Sequence, residues 1–307
     1  MATTTTADVR LSALPPATGR AGMRGVLASE FTKLRSVRST YWTIGALLIF
    51  SVGLAAAIGA GAASDLHNNP GDKAGFDATQ TSLAIFFYLG QLIIAVLGAM
   101  VITSEYSTGM IRTSLTAMPR RSTVYLSKLL VFTGVALVVS LVTSFLAFFV
   151  GQAVLSGTGV SASLFHSTTV PLAAQVSPHG TTLSGSFVVT SGAVLTAIIG
   201  TALFVTVAAV IAFGLGAIIR HTAGAIASAI GLLFVLPIII QLLPNTWRWD
   251  LMRFFPDAAG RVLSATVGGP DGPGAHLWSD WPQFAVTAIW ALVLVGVGGY
   301  LFRKRDA

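Results

Sequence analysis

The chain has 307 residues, of which 54% are hydrophobic and only 9% are charged, and its formal net charge is +7. Since an ordinary soluble domain carries about 25% charged residues, this composition excludes a typical soluble enzyme or binding module. Cysteine is absent, which excludes a disulfide framework, a thiolate nucleophile and a cysteine-based metal site. Several uncharged apolar stretches of about 20 residues predict a polytopic helical membrane protein.

The chain begins with a polar region and then becomes amphipathic. Residues 1–22 are rich in Thr, Ala and Pro without hydrophobic periodicity, so we expect a disordered tail. From Met23 onward, apolar residues at roughly helical spacing alternate with basic ones, which is typical of a helix lying in the membrane interface. Tyr41 and Trp42 follow where an aromatic belt would lie. The apolar run that starts there exceeds the roughly 7–15 residues of a cleavable signal, so it predicts a permanent anchor.

Residues 23–307 are interpreted as one membrane domain with six transmembrane helices. The expected spans are about 41–63, 83–102, 124–151, 187–219, 222–243 and 284–302. The fourth is longer than one bilayer requires, which predicts a tilted or kinked helix, or one that extends beyond the membrane.

Two connecting segments on the other side of the membrane from the termini differ in character. Residues 156–186 are rich in Ser, Thr and Gly, which predicts a solvated loop. Residues 244–262 interleave tryptophan and phenylalanine with charges, which predicts an amphipathic segment that dips into the outer interface.

The distribution of basic residues predicts the orientation. Fourteen of the 18 Lys and Arg residues fall in the N-terminal segment, the loop after the second span, the connection after the fourth span, and the C-terminal tail. The opposite side has four, together with seven of the eleven acidic residues. By the positive-inside rule both termini are therefore expected in the cytoplasm. Because the basic residues cluster at the ends of spans, nucleic-acid binding is not indicated.

The loop 103–121, TSEYSTGMIRTSLTAMPRR, which the same rule places in the cytoplasm, is a short polar interval between two long apolar runs. Ile111, Leu115 and Met118 recur at helical spacing, and Pro119 sets a stop. This pattern predicts a short amphipathic helix at the membrane surface that contacts a partner outside the bilayer. Glu105 has two interpretations. In the first, it accepts hydrogen bonds from helix-terminal amides or pairs with an arginine. In the second, it belongs to a contact surface that transmits movement from a partner.

Motifs for catalysis are absent from the sequence. There is no G-x-x-x-x-G-K-[ST], no H-E-x-x-H and no G-x-S-x-G. The five histidines are scattered without ligand spacing, so no metal site is expected. The predicted spans contain no acid, and Lys128, near the end of the third, is expected to snorkel. Gln91, Gln152 and Gln241 either line a pathway or, more commonly, make helix-packing hydrogen bonds. We therefore expect a non-enzyme whose energy comes from another subunit.

Three segments resemble the ABC-2-type permeases of ABC transporters: EFTKLRSVRST at 30–40, ITSEYSTGMIR at 102–112 with its continuation to Arg121, and GAIIRHTAG at 216–224. Met110 departs from the pattern, since many relatives have a small hydroxyl residue there. The resemblance implies a coupling helix within 103–121, a connecting helix within 24–40, and an outer element at 244–262. The coupling residues it implies are Glu105, Tyr106, Gly109, Ile111, Arg112, Leu115, Pro119, Arg120 and Arg121. The connecting-helix residues it implies are Glu30, Phe31, Lys33, Leu34 and Arg35.

The resemblance also implies a function. The chain is expected to be the permease subunit of an exporter in the plasma (inner) membrane, moving a hydrophobic or amphipathic substrate. It would form a homodimer or pair with a related permease, and bind ATP-binding-cassette ATPase subunits that hold the ATP and Mg. No cofactor is expected on this chain. The alternative is a non-transport docking, assembly or sensor protein that binds a cytoplasmic partner through the same loop.

Overall fold

The computed structural model describes residues 23–111, 121–171, 175–176, 182–183, 186–267 and 277–304. Six of its helical stretches are long and apolar enough to cross a membrane: Arg38–Asn68, Ala78–Ser107, Arg121–Thr158, Ser191–Ile219, Thr222–Gln241 and Asp280–Lys304. The prediction of a helical membrane protein with six spans is confirmed. The predicted tail at 1–22 lies outside the described residues.

The helices have the following bounds: α1 Met23–Ser36, α2 Arg38–Asn68, α3 Ala78–Ile85, α4 Gln91–Ser107, α5 Arg121–Leu155, α6 Ser191–Ile219, α7 Thr222–Ile230, α8 Leu236–Gln241, α9 Asn245–Met252, α10 Asp257–Leu263 and α11 Asp280–Lys304. Two π-helical turns, Phe86–Gly90 and Gly231–Val235, join α3 to α4 and α7 to α8. The second and fifth spans are therefore each one continuous but irregular helix.

Helix α6 lies at the centre of the bundle and packs closely against α4 and α11. Phe204 and Phe213 of α6 are fully buried, and Phe213 stacks on Phe132 of α5 with ring centroids 5.9 Å apart. Gly98 of α4 permits the close approach, since a Cβ there would collide with the backbone carbonyl of Ala209. Small residues in this way bring membrane helices into backbone contact.

The fourth span begins later than predicted. The helix starts at Ser191, where the Oγ1 of Thr190 accepts a hydrogen bond of 3.2 Å from the Ala193 amide. Residues before it form strand β4, Ser186–Val189, which pairs antiparallel with β1, Thr168–Pro171. A second antiparallel pair joins β2, Gln175–Val176, to β3, Thr182–Leu183. The boundary was misplaced because a short apolar strand directly before an apolar helix cannot be told apart from the helix by hydrophobic pattern alone.

The segment predicted to be a solvated loop is therefore partly a small sheet with an apolar side. Val170 and Val189 are buried and pack in one cluster with Leu83 of α3 and Phe148 of α5. The sheet thus covers the ends of the second and third spans.

The aromatic-rich segment after the fifth span folds into α9 and α10. It is tied to α11 by hydrogen bonds from Gln283 Nε2 to the Arg253 carbonyl, 2.7 Å, and from Trp290 Nε1 to the Phe254 carbonyl, 2.9 Å. Trp247 remains 68% exposed, whereas Asp257 is buried and bonded to Arg261 Nε at 2.7 Å. An amphipathic segment is present, and its predicted place in the outer interface remains a prediction.

Asp77 links the start of α3 to the residues after α10 through hydrogen bonds. Its Oδ1 accepts from the Gln80 amide at 2.8 Å and from Thr266 Oγ1 at 2.9 Å, and its Oδ2 accepts from the Val267 amide at 2.8 Å.

We predict that Asp77→Ala lowers the free energy of unfolding by about 1–2 kcal/mol, the usual cost of a lost N-cap. Thermal unfolding in detergent measures the effect. Asp72→Ala, on an exposed turn nearby, is the control; equal losses would contradict the prediction.

Candidate functional site

One end of the bundle gathers α1, the end of α4, the start of α5 and the ends of α6 and α11. Arg220, which caps α6, donates from its guanidinium to the Leu301 carbonyl of α11 at 3.2 Å. Tyr106 of α4 meets Phe302 of α11 edge-on, with ring centroids 6.4 Å apart. We call this the basic end. It includes Glu30 of α1 and Phe302 of α11, so the first and the last described helices both reach the same end of the bundle.

Helix α1 lies against the basic end through one face. Val26 and Glu30, one turn apart, are its buried residues, whereas Phe31 is 50% exposed. The helix stops at Ser36, and Val37 has extended backbone before α2 begins at Arg38. An amphipathic helix normally buries an apolar face, so a carboxylate in the middle of the buried face requires partners.

Those partners form a four-residue charge cluster: Glu30, Lys33, Glu105 and Lys128. Lys128 Nζ lies 2.6 Å from Glu30 Oε2 and 2.7 Å from Glu105 Oε1. Lys33 Nζ lies 2.8 Å from Glu30 Oε1 and 3.2 Å from Glu105 Oε1. The side chains of Lys128 and of both glutamates are buried, and that of Lys33 reaches the surface. The charge cluster joins α1, α4 and α5.

The charges in the cluster balance, two positive and two negative. A buried charge is tolerated when it is paired and hydrogen-bonded, and costs several kcal/mol when one partner is removed. A displacement that separates α1 from α4 or α5 would leave at least one buried charge without its partner. The three helix ends are therefore held in one arrangement electrostatically.

The charge cluster shifts the ionisation of the two α1 residues in it. Burial alone would raise the pKa of Glu30, but the charges and hydrogen bonds of Lys128 and Lys33 outweigh it and hold the pKa below the ordinary 4.5. Burial alone would lower the pKa of Lys33, but hydrogen bonds and charge from Glu30 and Glu105 outweigh it and raise the pKa above 10.5. Both shifts favour the charged forms.

These shifts predict how stability depends on pH. The contribution of Glu30 is complete above its ordinary pKa of 4.5 and is lost as the pH falls through its lower folded-state value. The contribution of Lys33 is complete below 10.5 and is lost as the pH rises through its higher folded-state value. We expect Glu30→Gln to flatten the acid limb of a thermal-unfolding profile. An acid limb as steep as that of the unchanged protein would contradict this, and Asp72→Asn on an exposed turn serves as the control.

Lys128 differs from its sequence-based interpretation, and Glu105 differs from one of its two. Lys128 does not snorkel to the surface but lies buried between two carboxylates. Glu105 pairs with two lysines rather than with an arginine. The sequence contained one local signal of the cluster, the i,i+3 spacing of Glu30 and Lys33. Contacts between residues 72 and 98 positions apart leave no such pattern.

The other residues of the predicted coupling and connecting segments are distributed around the charge cluster. Ile111 is buried and Leu34 packs against the same core, whereas Arg35 is exposed. Gly109 follows the end of α4 with φ of +72°, a left-handed conformation that favours glycine. Arg121 begins α5. The remaining predicted residues, Arg112, Leu115, Pro119 and Arg120, lie outside the described residues.

Arg220, which the sequence placed among the cytoplasmic charges and within the GAIIRHTAG segment, belongs to the basic end. Its backbone is left-handed, with φ of 61°, and closes α6 by a hydrogen bond from its amide to the Gly216 carbonyl at 2.9 Å. Its guanidinium lies over the Tyr106 ring, 4.9 Å from the centroid. This cation–π contact joins the fourth span to the end of α4.

The three glutamines differ in burial and in hydrogen bonding. Gln152 makes packing hydrogen bonds, donating to the Ala78 carbonyl at 3.0 Å and to Ser82 Oγ at 2.9 Å. Gln241 is exposed at the end of α8 and bonds the carbonyl one turn earlier. Gln91 is fully buried near Asp257, and its amide makes no hydrogen bond of regular geometry to the described part of the chain.

Within the described ranges, no group of three or more His, Cys, Asp or Glu residues is placed to hold a metal ion.

Comparisons with known proteins relate this chain to a family of membrane proteins. Residues 26–178 match the family model described as "ABC-2 family transporter protein". A search of curated proteins finds no match. The matched residues include α1 from Val26 onward and all of α4 and α5, and with them all four members of the charge cluster.

Proposed function

Because the chain belongs to the ABC-2 family of transporter proteins, we propose that it is the permease subunit of an ABC exporter that relies on a separate ATPase subunit. The family and the six apolar helices support a membrane permease. A hydrophobic or amphipathic substrate fits a pathway between such apolar spans. The permease would act as a homodimer or with a related permease in the plasma membrane.

The charge cluster is the observation that carries the proposal. It fixes α1 to the two helix ends that flank the loop between the second and third spans. A force on α1 or on that loop would therefore displace both spans. If one of the three helices moved and the others stayed in place, buried opposite charges would have to separate. This is the mechanical property that a membrane subunit needs when its energy comes from a cytoplasmic partner.

The proposed contact surface for the ATPase combines the exposed side of α1 with the loop after α4. Phe31, Arg35 and Met110 are exposed there. With the basic end in the cytoplasm, as the positive-inside rule indicates, this surface faces the compartment where ATP is hydrolysed. The proposed roles of Arg112, Leu115, Pro119 and Arg120 rest on the sequence alone.

A matched pair of phenylalanine substitutions tests the proposal. Phe31 at the basic end is 50% exposed, and Phe254 at the opposite end is 57% exposed. We expect Phe31→Glu to reduce co-purification of the ATPase subunit from mild detergent by about tenfold, the effect of losing about 1.4 kcal/mol at an interface. The added carboxylate would have to be desolvated on contact. Phe254→Glu should leave co-purification unchanged.

Transport supplies the second readout. In the proposed exporter, an inactivating substitution in the Walker A lysine of the co-purified ATPase should stop substrate efflux. Efflux that continues, or a correctly inserted protein that purifies without any ATPase, would overturn the proposal and favour a docking, assembly or sensor function.

A further inference from the structure

Helix α10 carries two charged residues into the interior of the bundle. Gly260 of this helix packs so closely that a Cβ there would collide with Phe87 of the second span and Phe204 of α6. Phe204 is the fourteenth of the 29 residues of α6, so α10 reaches about 20 Å along that helix at 1.5 Å per residue. Asp257 and Arg261 of α10 therefore lie near the middle of the fourth span rather than at its end.

Asp257 and Arg261 form an ion pair there, with Arg261 Nε 2.7 Å from Asp257 Oδ2. Asp257 is buried, whereas the Arg261 side chain is partly exposed. Tyr88 of the second span is the other titratable group beside the pair. In the described part of the chain, no further charged side chain faces the pair from the second span, α6 or α11. Ionisable groups at such a depth in a membrane protein are costly and mark functional sites.

The surroundings of the pair can accommodate its separation. The Arg261 guanidinium carbon lies 5.5 Å from the centroid of the Tyr88 ring, so a cation–π contact gives Arg261 a second partner. Gln91, at the fourteenth position of the 30-residue second span, lies beside Asp257. Its amide can donate to a carboxylate through the NH₂ group and can accept from a protonated carboxyl group through the carbonyl oxygen. Gln91 directly follows the π-helical turn Phe86–Gly90, an irregularity that is frequent at functional sites.

We propose that Asp257 is a proton-binding site within the bundle, which takes up a proton from water when Arg261 leaves it for the Tyr88 ring. Burial disfavours the charged carboxylate and Arg261 favours it, so the protonation state depends on where Arg261 lies. The proton forms an O–H bond on the carboxylate, and the Gln91 carbonyl accepts a hydrogen bond from it. By linkage, acid favours the arrangement in which Arg261 has left. This property does not depend on the proposed transport function.

Infrared difference spectroscopy of the full chain in detergent, titrated with acid, tests this inference. A protonated carboxylic acid has a carbonyl band that a carboxylate lacks. Since an adjacent arginine makes a carboxylate harder to protonate by about 1–3 pH units, we expect Arg261→Gln to show the band about 1–3 pH units above the pH at which the unchanged protein shows it. Arg261→Lys, which keeps the charge, should resemble the unchanged protein. Adding Asp257→Asn to Arg261→Gln should abolish the band.

The ion pair between Arg253 and Asp250 is the matched control, because its N–O distance is also 2.7 Å but its aspartate is exposed. Arg253→Gln should leave the band where it is in the unchanged protein, since water screens an exposed pair. The same titration in Arg261→Gln as in Arg253→Gln, or a band that persists after Asp257→Asn is added, would overturn the inference. If Arg261→Gln is not folded, Asp257→Asn alone decides, because it should remove the band that the unchanged protein shows in acid.

Discussion

Replacement of Lys128 by Met is expected to lower the free energy of unfolding by about 3–5 kcal/mol, the cost of removing one partner of a buried ion pair. Lys128 Nζ lies between Glu30 Oε2 and Glu105 Oε1, at 2.6 and 2.7 Å. Without it, two buried carboxylates share the single ammonium group of Lys33. Equilibrium unfolding in mixed detergent, or the thermal midpoint of the monodisperse protein, measures the loss.

The control for this prediction is Lys304→Met, which removes an exposed lysine near the same end of the bundle. Its effect should remain within about 0.5 kcal/mol, as for most surface substitutions. Adding Glu30→Gln to Lys128→Met should recover part of the stability, because it removes one of the carboxylates left without a partner. A Lys128→Met protein as stable as Lys304→Met would show that the charge cluster does not hold the basic end together.

Gly98→Ala is expected to destabilise the protein by about 1–3 kcal/mol through overpacking. A Cβ at this position meets the backbone carbonyl of Ala209 in α6, which cannot move aside as a flexible side chain would. The contact between α4 and α6 would have to open, and with it the most densely packed part of the bundle.

Gly134→Ala is the matched control for this prediction. Gly134 also lies within a membrane-spanning helix, and no described atom outside its own helix lies within 4 Å of a Cβ placed there. Alanine should be neutral or stabilising at this position, by up to about 1 kcal/mol, since glycine is the poorer helix former. Comparable thermal midpoints for the two variants would contradict the close packing of α4 on α6.

The features that repeat along the chain could be predicted from the sequence. The six spans follow from uninterrupted apolar runs, and α1 follows from helical spacing between Met23 and Ser36. These signals are local, because each residue contributes through its neighbours within a few turns. The start of the fourth span was missed because residues 187–189 are as apolar as the helix that follows, although they pair in a sheet.

The charge cluster could not be predicted in the same way. The sequence assigned Lys128 to the positive-inside pattern, and Glu105 either to a helix end or to a contact surface for a partner, because each charge was considered separately. The four charges meet because α1, α4 and α5 pack together at the basic end, which is a set of tertiary contacts between distant segments. Topology and charge counts therefore give the correct number of spans without showing which charges neutralise one another.

Side-chain contacts join the second and third spans at both of their ends. At the basic end, Lys128 joins α5 to α4 through Glu105. At the other end, Gln152 of α5 holds the Ala78 carbonyl and Ser82 of α3, while Asp77 anchors the same helix to Thr266. Sliding of the second span past the third would break side-chain contacts at both ends, so we expect a force applied at one end to move the two spans together.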